Sequence, residues 1–481
     1  MTRILALAMT ACLLSISAPA FAKIEAGTKT AKPGKAMPMY IDEVPTVPPA
    51  EELLPAGHDR AFAEMEIVHR AQKQLGLIDV VNWSRARLIG NTKVPVTGGG
   101  ATADATKDFD NTFAWFLKRW AVPGATLCVA KDGKILYSRG FGLADLNTRT
   151  KMPPDALFRI ASISKSLTAV AVLKLVEQGK LSLNAKVMPL LHFKPADGQQ
   201  MDGELNKVTV EELLECTGGW DRRISGDPMF QPIARQAAFE YSYTLRPTRA
   251  SIIQYWLGKK LDFIPGTHFA YSNFGYSLLG QIIENVTGQK YEDFIRKELL
   301  EPAGVKNMKP GRTLELAAGE TSYYAFPGQE ESGSLLPNFK GKVALPYGGD
   351  FVLEAMTPDT GWISSAPDLV RYISAVAGDK ETRQIISPKS LDRMLQRPNV
   401  PEWKDKDLYF AMGFEADRSV KDKVRFFRQG SLPGVITFVC HRPDGYSYAI
   451  CSNSRPQDAN VFQNQATTLI ELSINQKKFE R

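Results

Sequence analysis

The chain has 481 residues, of which 44% are hydrophobic and 23% charged, and 59 basic residues stand against 52 acidic ones for a formal net charge of +7. Such values exclude a collagen-like, low-complexity or wholly disordered chain. The length allows a core that folds without metal or disulfide staples. The charges are interspersed with no basic stripe, so nucleic acid is not an expected partner.

Arg3, the apolar run Ile4 to Ser17 and the small-residue site Ala20-Phe21-Ala22 read as a secretory signal peptide cut after Ala22. That places the mature protein in the periplasm or outside the cell. The run is too short for a membrane span, and no later stretch of about 18 apolar residues follows, so no membrane span is expected. Residues 23–107 read as an N-terminal leader and helical extension whose role the sequence leaves open. Lys23 to about Pro49 is rich in Pro, Lys and Thr, as a flexible leader is. Phe62, Met65, Val68 and Leu75 recur at helical spacing within Glu51 to Leu75. Gly98-Gly99-Gly100 reads as a linker, since it lacks the strand-to-helix context of a phosphate loop.

The remaining stretch, 108–481, reads as one domain. Phe113, Phe116, Leu117 and Trp120 mark a helix face that Val122-Pro123-Gly124 ends. Ala125 to Ala130 and Lys134 to Gly140 flank a Lys131-Asp132-Gly133 hairpin turn. A helix from about Ser162 to Gln178, apolar almost all round and closed by Gly179, is expected to lie buried between two layers. About 190 to 348 reads as a helical insertion with long loops. Strands return at Lys423 to Gln429, Val435 to Arg442 and Tyr446 to Ser452, before a helix over Ala459 to Asn475. Strands at both ends around a helical middle predict an α/β (α+β) fold, with one antiparallel sheet built from both chain ends and flanked by helices.

The cysteines left after export are Cys128, Cys216, Cys440 and Cys451. None has a zinc-ligand spacing, and free buried thiols are expected over bridges. Neither a metal nor an organic cofactor is expected. His58, His69, His192, His268 and His441 are scattered, and there is no GxSxG elbow, HExxH or Walker loop.

Three short segments have the residue types for acyl transfer. In Ser162-Ile163-Ser164-Lys165, helical spacing stacks the lysine over the serine hydroxyl. A serine needs a base to take its proton, and a lysine serves where burial and a helix N-terminus disfavour its charge. A helix cap with a snorkelling lysine fits the same residues. Tyr271-Ser272-Asn273 opens an apolar helix, where a phenol beside a lysine can pass protons and the asparagine projects alongside; a buried tyrosine with a capping asparagine fits equally. Arg428-Gln429-Gly430-Ser431 closes a strand. Gly430 lets a substrate carbonyl approach, the N–H groups of Ser431 and Ser162 make an oxyanion hole, and Arg428 offers its fork to a substrate carboxylate. It also fits an ordinary strand end.

In their order, these segments resemble the serine beta-lactamase and penicillin-binding-protein superfamily, in its class C beta-lactamase and esterase-like branch. Val122-Pro123-Gly124-Ala125, Lys131-Asp132-Gly133-Lys134, Gly140-Phe141-Gly142 and Phe158 to Lys165 are similar to its N-terminal half. Leu213 to Gly219, Pro265-Gly266-Thr267, Tyr271 to Tyr276 and Gly361 to Leu369 continue the match. The resemblance implies Ser162 as the acylated nucleophile, Lys165 as its proton acceptor, Tyr271 as the second acid/base, Asn273 as a substrate ligand and the Ser162 and Ser431 N–H groups as the oxyanion hole. Where the family shows Lys-Thr-Gly or His-x-Gly, this chain has Arg428-Gln429-Gly430, which keeps the charge and changes its reach. No glutamate for a deacylating water is evident. The expectation is therefore a serine hydrolase acting on an ester or amide bond of a small molecule or short peptide. Rivals are a DD-peptidase or beta-lactamase and, in another class, a non-catalytic binder of cell-wall peptides or beta-lactams. The sequence does not set the oligomeric state.

Overall fold

The β-branched and aromatic runs at the two ends of the domain pair with each other. The computed structural model describes residues 94–100, 103–193, 200–325, 331–337 and 341–480. The signal peptide, the leader and the helix expected over Glu51 to Leu75 lie outside them. In chain order the strands along the main path of the sheet are β1 (Val96–Gly100), β2 (Gly124–Lys131), β3 (Lys134–Asp145), β4 (Leu408–Phe410), β5 (Glu415–Asp417), β6 (Arg425–Leu432), β7 (Val435–His441) and β8 (Tyr446–Ser452), with the two-residue strand Thr150–Lys151 paired to β3 off that path. Their spatial order is β1-β3-β2-β8-β7-β6-β5-β4, antiparallel throughout. The two chain ends meet where β8 lies on β2, in register from Tyr446↔Lys131 to Ser452↔Ala125. Asp132 and Gly133 turn the β2–β3 hairpin at φ 51° and 88°, the positive pair that a tight two-residue turn requires.

Two sequence expectations are corrected. Gly98-Gly99-Gly100 is the end of a strand rather than a linker, because ladder pairing is made by the backbone and needs no side chain. β1 pairs with β3 along its length, and a Cβ on Gly98 would come within 2.5 Å of Ser138 O. The sheet thus takes in residues ahead of Asp108. The strand expected to end at Gln429 runs on to Leu432, so Arg428 to Ser431 lies within β6.

The main helices are α1 (Ala103–Arg119), α2 (Ser164–Glu177), α3 (Val210–Leu214), α4 (Asn273–Thr287), α5 (Ala366–Ala377) and α6 (Ala459–Asn475). α1 and α6 pack through an aromatic cluster in which Phe116 stacks on Phe462 and Trp120 meets the same ring edge-on. α5 packs on β8, β2 and β7. It starts at a capping Ser365, whose Oγ accepts the Asp368 N–H, and stops at Gly378 with φ 78°, as capping chemistry dictates. α2 is buried along its length and lies against α4, as its unbroken apolar surface predicts. Between 200 and 348 lie helices, long loops and the short strands Lys309–Pro310, Glu331–Gly333 and Lys342–Ala344. Cys128, Cys216, Cys440 and Cys451 are buried and unbridged. Burial pushes the Cys128 and Cys440 thiols up to about 12 and Cys216 up to about 11.

Asn453, just past β8, fastens the two ends of the chain. Its Oδ1 accepts the Gly124 N–H at 2.8 Å, and its Nδ2 donates to Leu143 O at 3.0 Å and Thr321 Oγ1 at 3.2 Å. The side chain is fully buried. Asn453→Ala strands these groups in the interior, and at about 1–3 kcal/mol per orphaned group it should cost roughly 2 kcal/mol or more. Urea unfolding should show a lower midpoint at unchanged slope. An unaltered midpoint would mean that this clasp adds nothing.

Candidate active site

The candidate nucleophile is presented by a short 3-10 turn, Ala161–Ile163, that leads directly into α2. Ala161 has φ 47°, a region that a side chain other than hydrogen enters only under constraint. The constraint is visible on both sides. Ile160 N–H donates to Trp362 O at 2.9 Å. Ile160 O accepts the Thr437 hydroxyl at 3.1 Å and lies where a Cβ on Gly430 would meet it at 2.0 Å. Gly430 is therefore glycine because the nucleophile turn packs against β6.

The turn brings three side chains to one oxygen. Ser162, itself half-buried, has its Oγ 2.8 Å from Tyr271 Oη and 3.3 Å from Lys165 Nζ. Lys165 is fully buried. Its Nζ also donates to Asn273 Oδ1 at 2.6 Å and Asp359 O at 2.9 Å. Tyr271 precedes the capping Ser272, whose Oγ accepts the Gly275 N–H and starts α4. This local capping places phenol and asparagine together at the helix mouth. Phe410 meets the Tyr271 ring edge-on at 5.9 Å. Lys165 Nζ stands 5.0 Å, Arg222 Cζ 4.8 Å and Arg428 Cζ 5.3 Å from the ring centroid, distances at which cations attract a ring face.

Asn273 and Arg428 are both hydrogen-bonded within the chain. Asn273 Nδ2 donates to Asp227 Oδ2 at 2.6 Å, and the residue is only 5% exposed. It bridges Lys165 to a carboxylate of the chain itself. Arg428 is 2% exposed. Its Nε donates to Ser162 O at 3.0 Å, its Nη1 to Glu415 Oε1 at 2.5 Å and its Nη2 to Tyr271 Oη. The guanidinium thus supports the nucleophile turn and the phenol from within, and its fork is turned to the chain rather than to a substrate carboxylate. Strand geometry explains the difference: inside β6, Arg428 faces the turn that β6 packs against. Burial pushes the Glu415 carboxyl above its ordinary value, and Arg428 pulls it back. The β5–β6 ladder ends at Glu415↔Phe427, so from Arg428 onward β6 runs beside the nucleophile turn. Ser431 follows on that stretch, its Oγ accepting from Arg455 Nε at 2.8 Å. His268 is exposed and sits 3.2 Å from Glu402, as a loop histidine does.

Sequence reading missed Asp227, Asp359 and Glu415. Asp359 touches Lys165 across 194 positions and Glu415 touches Arg428 across a strand register, and neither relation leaves a spacing to read. Among the described residues no group of His, Cys, Asp and Glu is placed to hold a metal ion.

A buried helix opening on a serine–lysine pair, met by a tyrosine at the edge of an antiparallel sheet, defines the beta-lactamase-fold class of hydrolases. The Beta-lactamase family profile matches residues 109–470, and the chain belongs to that family. It is 32% identical to Protein flp of Staphylococcus aureus strain NCTC 8325 over 384 residues, 79% of this chain and 68% of that protein. It is 30% identical over 228 residues to the human mitochondrial serine beta-lactamase-like protein LACTB, 36% of this chain and 41% of the other. The fold is shared with the octameric penicillin-binding protein homologue from Pyrococcus abyssi (TM-score 0.58, 24% identity, 76% of this chain and 77% of that one). It is shared too with the D-amino acid amidase from Ochrobactrum anthropi SV3 (TM-score 0.57, 20% identity, 77% and 99%). No helix among the described residues is long and apolar enough to cross a membrane.

Because Arg428 supports Tyr271 and the turn, Arg428→Ala should lower kcat/KM by a similar factor for a small neutral ester and for a carboxylate-bearing substrate. Steady-state kinetics on the two decide it. A loss confined to the carboxylate substrate would return Arg428 to the substrate.

Proposed function

We propose that the protein is an exported serine hydrolase that cleaves an ester or amide bond of a small molecule or short peptide through an acyl-Ser162 intermediate. The observation that carries this reading is the convergence of Tyr271 Oη and Lys165 Nζ on Ser162 Oγ. Export rests on the N-terminal pattern of Arg3, the apolar run and Ala20-Phe21-Ala22.

In acylation, Lys165 in its neutral form accepts the Ser162 proton as Oγ bonds to the substrate carbonyl carbon. The negative charge on the carbonyl oxygen falls to the backbone N–H groups of Ser162 and Ser431, the arrangement that contributes most in acyl transfer. Tyr271 accepts a hydrogen bond from Arg428, so its own proton has Ser162 Oγ as acceptor, close to where the leaving atom parts from the carbonyl carbon. Tyr271 gives that proton to the leaving group, and the charge this leaves on its oxygen is met by the guanidinium. Water then takes the place of the leaving group and the same two side chains run the steps in reverse. An amide substrate draws support from the amidase among the fold neighbours. An ester asks for the same groups.

A fluorophosphonate should label Ser162, read by mass spectrometry of the labelled peptide. Label on another serine with Ser162 unmodified would refute the assignment. On a panel of p-nitrophenyl esters, nitrocefin and D-Ala-D-Ala peptides, an enzyme shows a steady rate after any burst, whereas a binder shows the burst alone. Lys165→Ala and Tyr271→Phe should each cost about 10²–10⁴-fold in rate. The double variant should lose less than the product of the two, because the groups share one proton path. Full additivity would separate the two residues.

A further inference from the structure

Behind Lys165 lies a carboxyl to which the acyl-transfer reading gives no task. Asp359 belongs to a turn in which Met356 O takes the N–H groups of Asp359, Thr360 and Gly361. The turn is wedged between α2 and α4. Pro358 O accepts the Thr168 hydroxyl at 2.5 Å, and Pro358 fills the space over Gly280, where a Cβ would come within 2.1 Å of it. So held, Asp359 O meets Lys165 Nζ at 2.9 Å. The Asp359 side chain is fully buried. Its Oδ2 accepts the Thr360 hydroxyl at 2.6 Å, and its Oδ1 has no hydrogen-bond partner among the described residues. An interior carboxylate with an empty acceptor is costly unless a charge compensates it, and the Lys165 amine, bonded to the backbone carbonyl of the same residue, lies near enough to act on it.

We propose that Asp359 is a positioning residue for acylation: its backbone carbonyl holds the Lys165 amine at Ser162, and its buried carboxyl governs the charge that Lys165 carries. The proposal rests on the reading of Lys165 as the proton acceptor of Ser162.

The elements packed about this turn carry the following titratable and polar groups. α2 brings Lys165 and Thr168. α4 brings Asn273, tied to Asp227, and Glu284, paired with Arg249 at 2.5 Å; Tyr276 on the same helix spends its hydroxyl on Leu214 O. The helix Tyr291–Ile295 brings Tyr291, bonded to Thr168, and Glu292, bonded to Thr357. Burial pushes the Asp359 carboxyl up to about 7, opposed by Lys165, the Thr360 hydroxyl and Arg249 and reinforced by Asp227.

The sign follows. Below about pH 7 the carboxyl is neutral, and Lys165 meets only neutral acceptors in Asn273 Oδ1 and Asp359 O. Above it the carboxyl is an anion that holds the proton on the amine. Ionised Asp359 therefore moves the pH at which Lys165 becomes a base upward. With a neutral side chain at 359 the rising limb of the acylation rate should lie lower.

The test is the second-order rate of fluorophosphonate labelling of Ser162 across the pH range, which reads acylation alone. Asp359→Asn should shift the rising limb to lower pH by about one unit or more. Thr360→Val removes a donor that favours the anion and should shift it the same way by less. If the Asn variant fails to fold by circular dichroism, the Val variant decides alone. Normal labelling of Ser162 with an unmoved limb overturns the role of Asp359 and leaves the acyl-enzyme reading standing. A rate lowered equally at every pH overturns it too, since a purely structural residue behaves that way. Labelling at a different serine instead overturns the reading of Ser162 itself.

Discussion

The site depends on one turn of backbone from Ile160 to Ile163. A left-handed alanine in that turn costs of order 1–3 kcal/mol and persists only where its surroundings over-determine it. Here Trp362 O and Thr437 Oγ1 fix Ile160 from two sides, Arg428 Nε takes Ser162 O, and Ser166 Oγ takes Ile163 O at 2.7 Å. The strained residue is what turns the chain sharply enough for Ser162 to stand free at the head of α2 while its neighbours Ala161 and Ile163 are buried. Gly430 follows from the same constraint, because only a residue without a Cβ lets β6 come this close.

Around this turn two basic side chains lie in the interior, Lys165 and Arg428. A buried ion is costly unless paired and hydrogen-bonded, and each has its own compensation. Arg428 has Glu415, and Lys165 has Asn273, which is backed by Asp227, together with Asp359. Ser162 and Tyr271 stand between the two systems, bonded to Lys165 on one side and to Arg428 on the other. A proton moving along that line passes between environments already balanced, so little of the protein must reorganise as it moves.

The sequence makes the local parts of this design legible and hides the long-range ones. Periodicity marks α2, the β2–β3 hairpin, β7, β8 and α6, because each is decided by neighbours within a few positions. Ser162 and Lys165 are legible for the same reason, being one helical turn apart. β1 is hidden because a strand with three glycines has no side-chain alternation, yet its backbone pairs all the same. The role of Arg428 is hidden because residue type fixes what a guanidinium can bind but register fixes where it points. The strand ends three residues later than expected, at Leu432, and its packing on the Ser162 turn sets Arg428 against Tyr271. Asp227, Asp359 and Glu415 are invisible for a related reason: each is one acidic residue among 52, distinguished by the distant residue that the fold sets beside it.

The junction between the sheet and the helical middle of the chain is closed by the same atoms that do the proposed chemistry. Tyr271 and Asn273 come from the head of α4, Arg428 comes from β6, and both sides reach the Ser162 turn, across 109 and 266 positions of sequence. The Tyr271 oxygen is held by Arg428 on one side and by Ser162 on the other. A movement that opens the junction must therefore break the hydrogen bond that aligns the phenol before it exposes the serine. The β5 ladder has already ended at this point of β6, so past Phe427 that side of the strand is left to the nucleophile turn. This rigidity fits a reaction in which one proton shuttles over contacts of 2.8 and 3.3 Å, since loss of alignment by a fraction of that distance would cost more than any gain in access.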